Sequence, residues 1–123
     1  MRRMALAAAT LSLVATSASA MSVAEFLAKA RALQARGMLF SAFSPDVALL
    51  RNEMAAIGTA YRADLAAARA AGRKPHSCPP PRGQVRMTAD QMLAELERIP
   101  PARRGMSMKA AFYEFMKRRF PCR

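Results

Sequence analysis

The chain contains two cysteines, Cys78 and Cys122, and its first twenty residues decide what those cysteines do. Arg2 and Arg3 form a positive start, Met4 to Val14 an apolar run, and Ala18-Ser19-Ala20 a small-residue cleavage motif. That order reads as a secretory signal peptide over residues 1–20, with a mature chain starting at Met21 and destined for the periplasm. The apolar run is too short to remain as a membrane anchor. The flanks of Arg2-Arg3 lack a twin-arginine pattern, so the general secretory route is expected. An even cysteine count in an exported chain reads as a disulfide, and two cysteines allow only one intramolecular pairing, Cys78–Cys122. Neither lies in a C-x-x-C motif, so the expected bond is structural rather than catalytic. Closing so long a loop contributes roughly 4 kcal/mol in the chain-entropy picture. Residues 21–123 have the length of one domain with a modest core, for which such a staple matters.

Apolar residues recur at helical spacing through the mature chain, and no alternating strand pattern interrupts them. Ser22 and Glu25 form a capping box for a helix over 23–36, with Val23, Phe26, Leu27 and Ala30 on one face and Gly37 as its stop. Met38 to Phe43 reads as a short apolar connector expected to pack inward. Ser44 and Pro45 start the longest helix. Its stripe is Val47, Leu50, Met54, Ile57, Tyr61, Leu65 and Ala68, and it stops at Gly72. Its Ala-rich end, Ala63 to Ala71, is expected to project as a solvated stem. Thr88 with Gln91 caps a third helix carrying Met92, Leu93, Leu96 and Ile99, with Met87 and Met92 placed as a hydrophobic staple. Pro100-Pro101 stops it. Ser107 caps a fourth, with Met108, Ala111, Phe112, Phe115 and Met116 on its apolar side; Glu114 is spaced to pair with Arg118. The expected fold is therefore all-α, a small bundle of about four helices with one long loop, closed by a single disulfide.

The long loop spans residues 73–87. Pro75, Pro79, Pro80 and Pro81 exclude helix there, and Cys78 pins its middle. A loop of this length is a candidate for function, and it carries Arg73, Lys74, His76, Arg82 and Arg86. Removing Arg2 and Arg3 with the leader leaves 18 Lys+Arg against 8 Asp+Glu, a net charge of +10. Such a balance suits an acidic partner, and export argues against nucleic acid in that role. His76, the only histidine, has no acidic neighbour in sequence, which counts against a small hydrolase built on it. No metal-ligand spacing, phosphate loop or nucleophile elbow occurs. Neither a cofactor nor catalysis is expected.

One resemblance goes further. Cys78-Pro79-Pro80, Thr88-Ala89-Asp90-Gln91-Met92-Leu93, Ile99-Pro100-Pro101-Ala102-Arg103-Arg104, Ala110-Ala111-Phe112 and Arg119-Phe120-Pro121-Cys122 follow one another in order. Over residues 76–122 the chain resembles the Rap/Tai family of type VI secretion immunity proteins. Helices one and two match that family in length and helical character only. The resemblance implies a periplasmic all-helical protein that binds an incoming peptidoglycan amidase toxin and blocks its active site. It carries over structural positions, namely Cys78, Pro79, Phe120, Pro121 and Cys122, and no contact residues. Loop 73–87, meeting acidic groups of the amidase, is the expected contact surface, with the Arg62–Arg69 face of the long helix as the alternative. A second copy of the chain is a further expected partner. The rival reading is a cationic periplasmic protein associated with anionic envelope components.

Overall fold

The computed structural model describes residues 20–123. The expected signal peptide falls outside the described residues except for Ala20. From Met21 onward the chain forms five α-helices: α1 (Val23–Arg36), α2 (Met38–Ser41), α3 (Pro45–Ala70), α4 (Ala89–Glu97) and α5 (Met108–Arg119), with a 3-10 turn, Pro101–Arg103, between the last two. Among the described residues there is no strand, only an isolated antiparallel bridge between Ser22 and Ser107.

The helix starts follow the cap chemistry of the sequence. The Ser22 and Thr88 hydroxyls accept from the backbone N–H groups of Glu25 and Gln91, whose side chains accept in return from the cap N–H groups. Ser44 and Ser107 cap α3 and α5. The first turn of a helix also leaves backbone donors without internal partners. In α1 the Val23 N–H donates to the Met106 carbonyl and the Ala24 N–H to the Arg104 carbonyl, both at 2.9 Å, while Met108 N–H donates to the Met21 carbonyl. The start of α1 and the start of α5 are thus stitched together by main chain at the Ser22–Ser107 bridge.

Arg104 performs the matching task at the end of α4. Its Nε donates to the Ile99 carbonyl and its Nη2 to the Glu97 carbonyl, each at 2.9 Å, acceptors left over where Pro100 stops the helix. Arg104→Met keeps the stem and removes both charge-assisted bonds. It is expected to lower the unfolding free energy by about 1–3 kcal/mol, read from the urea midpoint. An unchanged midpoint would mean that water replaces Arg104 without cost.

Two apolar clusters hold the helices together. Val23, Phe26 and Leu27 of α1 meet Ile57 of α3, Leu96 of α4, and Met108 and Ala111 of α5. Farther along α3, Tyr61 and Leu65 meet Phe115 and Met116, flanked by Met87, Phe112, Tyr113 and Phe120. The Ala-rich end of α3 therefore does not project into solvent as expected: Leu65 and Ala68 are buried. The overhang lies at the other end. A 26-residue helix is about 39 Å long, and its shorter neighbours leave the Leu50–Met54 part of the stripe only partly covered.

The connector before α3 also departs from expectation. Met38, Leu39, Phe40 and Phe43 are 91, 84, 77 and 91 % exposed. Gly37 takes φ +81°, a left-handed value open to glycine, and α2 begins at the next residue. The Ser41 hydroxyl then sits 2.6 Å from the Leu33 carbonyl and 2.8 Å from that of Gly37. With the polar residue of this one-turn helix turned back to satisfy the end of α1, its apolar residues point away. Glu114, expected to pair with Arg118, instead meets Arg103 at 3.6 Å.

Candidate functional site

Cys78 and Cys122 are bonded, with Cα atoms 5.0 Å apart, and the Cys78 N–H donates to the Phe120 carbonyl at 2.8 Å. The middle of loop 73–87 is thereby fixed to the end of α5. The loop is anchored a second time, at Ser77 and Pro79, both buried. The Ser77 hydroxyl is completely enclosed and hydrogen-bonds the Tyr61 hydroxyl of α3. Ser77 did not stand out in the sequence; its signal there is a small hydroxyl beside a bonded cysteine, with a tyrosine on the facing stripe.

An aromatic group surrounds this anchor. Tyr61 meets the rings of Phe112 and Tyr113 edge-on, each at 5.4 Å between centroids. His76 lies 5.3 Å from Tyr113, and the Tyr113 hydroxyl donates to Asp64 of α3. Burial first, and then the Asp64 carboxylate, pushes the Tyr113 hydroxyl well above its ordinary pKa of 10.0, because both disfavour a second negative charge. His76 Nδ1 is 3.5 Å from Ser77 Oγ, at the limit of a hydrogen bond. That serine is enclosed and engaged by Tyr61, so the pair is placed to fix the loop rather than to reach a substrate.

The five basic and histidine positions chosen from the sequence, Arg73, Lys74, His76, Arg82 and Arg86, are all exposed. They do not form one cluster. Arg73 and Lys74 follow the end of α3, where the Arg73 N–H donates to the Ala68 carbonyl. His76 lies on the α5 side against Tyr113. Arg82 belongs to a different surface. It occupies the second position of a tight turn closed by Gln84 N–H to the Pro81 carbonyl, with Gly83 at φ +90° as a type II turn requires.

This turn forms one wall of a groove of about 480 Å³ between the loop and α3. Arg82 stands on the loop wall and Arg62 on the α3 wall, with Tyr61, Met92, Phe112 and Met116 below them. The loop and the Arg62 end of the α3 arginine face are thus two sides of one cleft, which neither Arg69 nor Arg86 lines. Among the described residues neither Arg62 nor Arg82 pairs with a carboxylate; the carboxylate pairs are made by Lys29, Arg31, Arg98 and Arg103. Two uncompensated guanidiniums over an apolar floor suit an acidic segment, because guanidinium pairs bidentately with carboxylate.

No cluster of three or more His, Cys, Asp or Glu side chains able to hold a metal occurs among the described residues. No described helix is long and apolar enough to cross a membrane. The disulfide fits an oxidising compartment. Comparison with known proteins gave no matching family model, no matching curated protein and no matching solved structure.

Proposed function

We propose that the mature chain is a periplasmic immunity-type protein that binds a type VI secretion peptidoglycan amidase and blocks its active site sterically. The observation that carries this reading is the cleft between loop 73–87 and α3, with Arg62 and Arg82 on opposite walls and no internal carboxylate to occupy them. The loop is set before any partner arrives. Cys122 holds it from one side, Tyr61 from another, and four prolines restrict what remains, so little ordering entropy is lost on contact. The ordered Cys-Pro, capped-helix and Phe-Pro-Cys elements that resemble Rap/Tai proteins support the same assignment. Export is supported by the leader-like residues 1–20 and by the Cys78–Cys122 bond, which fits an oxidising compartment. Complementary charge would also speed capture of an acidic toxin.

The test is calorimetric titration of the mature chain against a peptidoglycan amidase whose gene adjoins that of this chain. The double variant Arg82→Glu/Arg86→Glu is expected to bind about thirtyfold more weakly or worse, since reversing charge at a paired site costs at least about 2 kcal/mol. Both side chains are exposed, so its thermal midpoint should stay within a degree or two of the parent, roughly the scatter of surface substitutions. Unaltered affinity would remove the loop from the interface. Envelope association through lipid has one observation in its favour, the exposed Phe40 and Phe43; binding of the chain to phosphatidylglycerol vesicles, lost on Phe43→Glu, would support it, and no binding would remove it.

A further inference from the structure

The end of the bundle where α3 and α5 stop concentrates positive charge that the fold does not use. The two helices run in the same direction: Tyr61 meets Phe112, and one turn on Leu65 meets Phe115 and Met116. Their last turns therefore finish at one end, and the disulfide ties the segments that follow them. The Cys78 N–H donates to the Phe120 carbonyl, and the Pro75 carbonyl lies 3.7 Å from Cys122 Sγ. This places Arg69, Arg73 and Lys74 of the α3 end with Lys117, Arg119 and Arg123 of the α5 end, all six exposed. We propose that this basic end is a second binding surface, which holds the domain on peptidoglycan through the polymer's carboxylates.

Three observations support it. First, the charge exceeds what the helices need. A basic residue suits a helix C-terminus because that end carries about −0.5 of an elementary charge. Two such ends call for about one positive charge, and six basic side chains are present. Second, no side-chain carboxylate offsets them. No Asp or Glu occurs between Asp64 and Asp90 or after Glu114. Asp64 accepts from the Tyr113 hydroxyl and Glu114 pairs with Arg103, so the nearest acids in sequence are engaged elsewhere. Third, the surface suits a hydrated polymer rather than a bilayer. Binding to a lipid interface draws on buried apolar area as well as charge, and the exposed large apolar residues, from Met38 to Leu49, lie at the opposite end of α3. Arg119 is also restrained before a carboxylate arrives. Its guanidinium lies 5.6 Å from the Phe120 ring centroid and 5.9 Å from that of Phe115, within cation–π range, and guanidinium pairs bidentately with carboxylate. None of the six lines the Arg62–Arg82 cleft, so wall and amidase can be held at once. Only the choice of polymer rests on the amidase reading.

Co-sedimentation of the mature, oxidised chain with purified peptidoglycan sacculi tests it. At about 20 mM salt, where exposed charges are weakly screened, the chain should pellet with sacculi, and about 0.3 M salt should release it. Arg73→Glu/Lys117→Glu is expected to bind about tenfold more weakly or worse, since two exposed charge contacts are lost and reversed. Arg36→Glu/Arg51→Glu, away from this end, gives the same net charge and should stay within about threefold of the parent. All four positions are exposed, so helicity by circular dichroism should be retained in both variants. Sacculi whose carboxylates are converted to amides should not bind the chain. Amidase titration of Arg73→Glu/Lys117→Glu should be unaltered, because neither residue lines the cleft. A chain that pellets with sacculi yet leaves the amidase unbound would remove the immunity reading and keep this one. Absence of the parent chain from the low-salt pellet overturns the proposal, as do equal losses for the two variants or undiminished binding to amidated sacculi. Binding to phosphatidylglycerol vesicles in preference to sacculi, lost on Arg73→Glu/Lys117→Glu, also overturns it, by giving the basic end to a bilayer.

Discussion

Replacing Cys78 or Cys122 by serine is expected to lower the unfolding free energy by about 4 kcal/mol, a large share of the stability of a domain this small. The bond joins residues 44 apart in sequence, so the unfolded chain gains much freedom when it is lost. Local order goes with it. The bond fixes loop 73–87 against the end of α5, and that loop seats Ser77 under Tyr61. Without it, the Tyr61–Phe115–Met116 cluster should loosen at its loop side, weakening the near-ultraviolet tyrosine signal before global unfolding. Urea denaturation of oxidised and reduced protein reads the stability, and near-ultraviolet circular dichroism reads the cluster. Equal midpoints with and without reductant would show that packing alone holds the loop.

A second pair of substitutions separates the interior from the exposed connector. Met108 is completely buried where α5 crosses α1. Met108→Ala should cost about 2–5 kcal/mol, since it removes apolar contacts and leaves a cavity that helices bridged by main chain cannot readily close. Phe40 is the larger residue, yet it is 77 % exposed. Phe40→Ala should change the stability of the protomer by no more than about 0.5 kcal/mol. Both are measured by urea denaturation. A large loss for Phe40→Ala would place the connector inside the core and contradict the outward orientation of α2.

Local rules accounted for the helices that begin with a cap. Ser22, Ser44, Thr88 and Ser107 each start a helix in the expected place, because a cap is a contact between residues two or three apart and is written out in sequence. The bond between Cys78 and Cys122 was legible for a different reason: two cysteines leave no choice. What misled was the assumption that apolar residues turn inward. In Met38–Phe43 the orientation depends on Gly37 at φ +81° and on Ser41 finding the Leu33 carbonyl, a competition that periodicity does not register. The Ala-rich end of α3 misled likewise. Small residues suggest a solvated stem, and Ala63, Ala66, Ala67 and Ala70 are indeed exposed, but the stripe positions Leu65 and Ala68 between them are buried as their spacing predicts, Leu65 against Phe115 and Met116. Of the candidate site, Arg82 and the neighbouring loop were visible as charge and proline. Arg62 was visible as part of the alternative Arg62–Arg69 face; that it stands across a cleft from Arg82 depends on the loop folding back on α3, where the Ser77–Tyr61 bond and the disulfide anchor it.

On the proposed reading the domain neutralises an amidase by covering its active site, with an acidic segment of the enzyme held between loop 73–87 and α3. The most direct measurement is hydrolysis of purified peptidoglycan by the adjoining-gene amidase as the mature, oxidised chain is added. Activity is expected to fall linearly to near zero at one chain per enzyme, with the Arg82→Glu/Arg86→Glu variant needing a large excess. Full amidase activity in the presence of excess mature chain would contradict it.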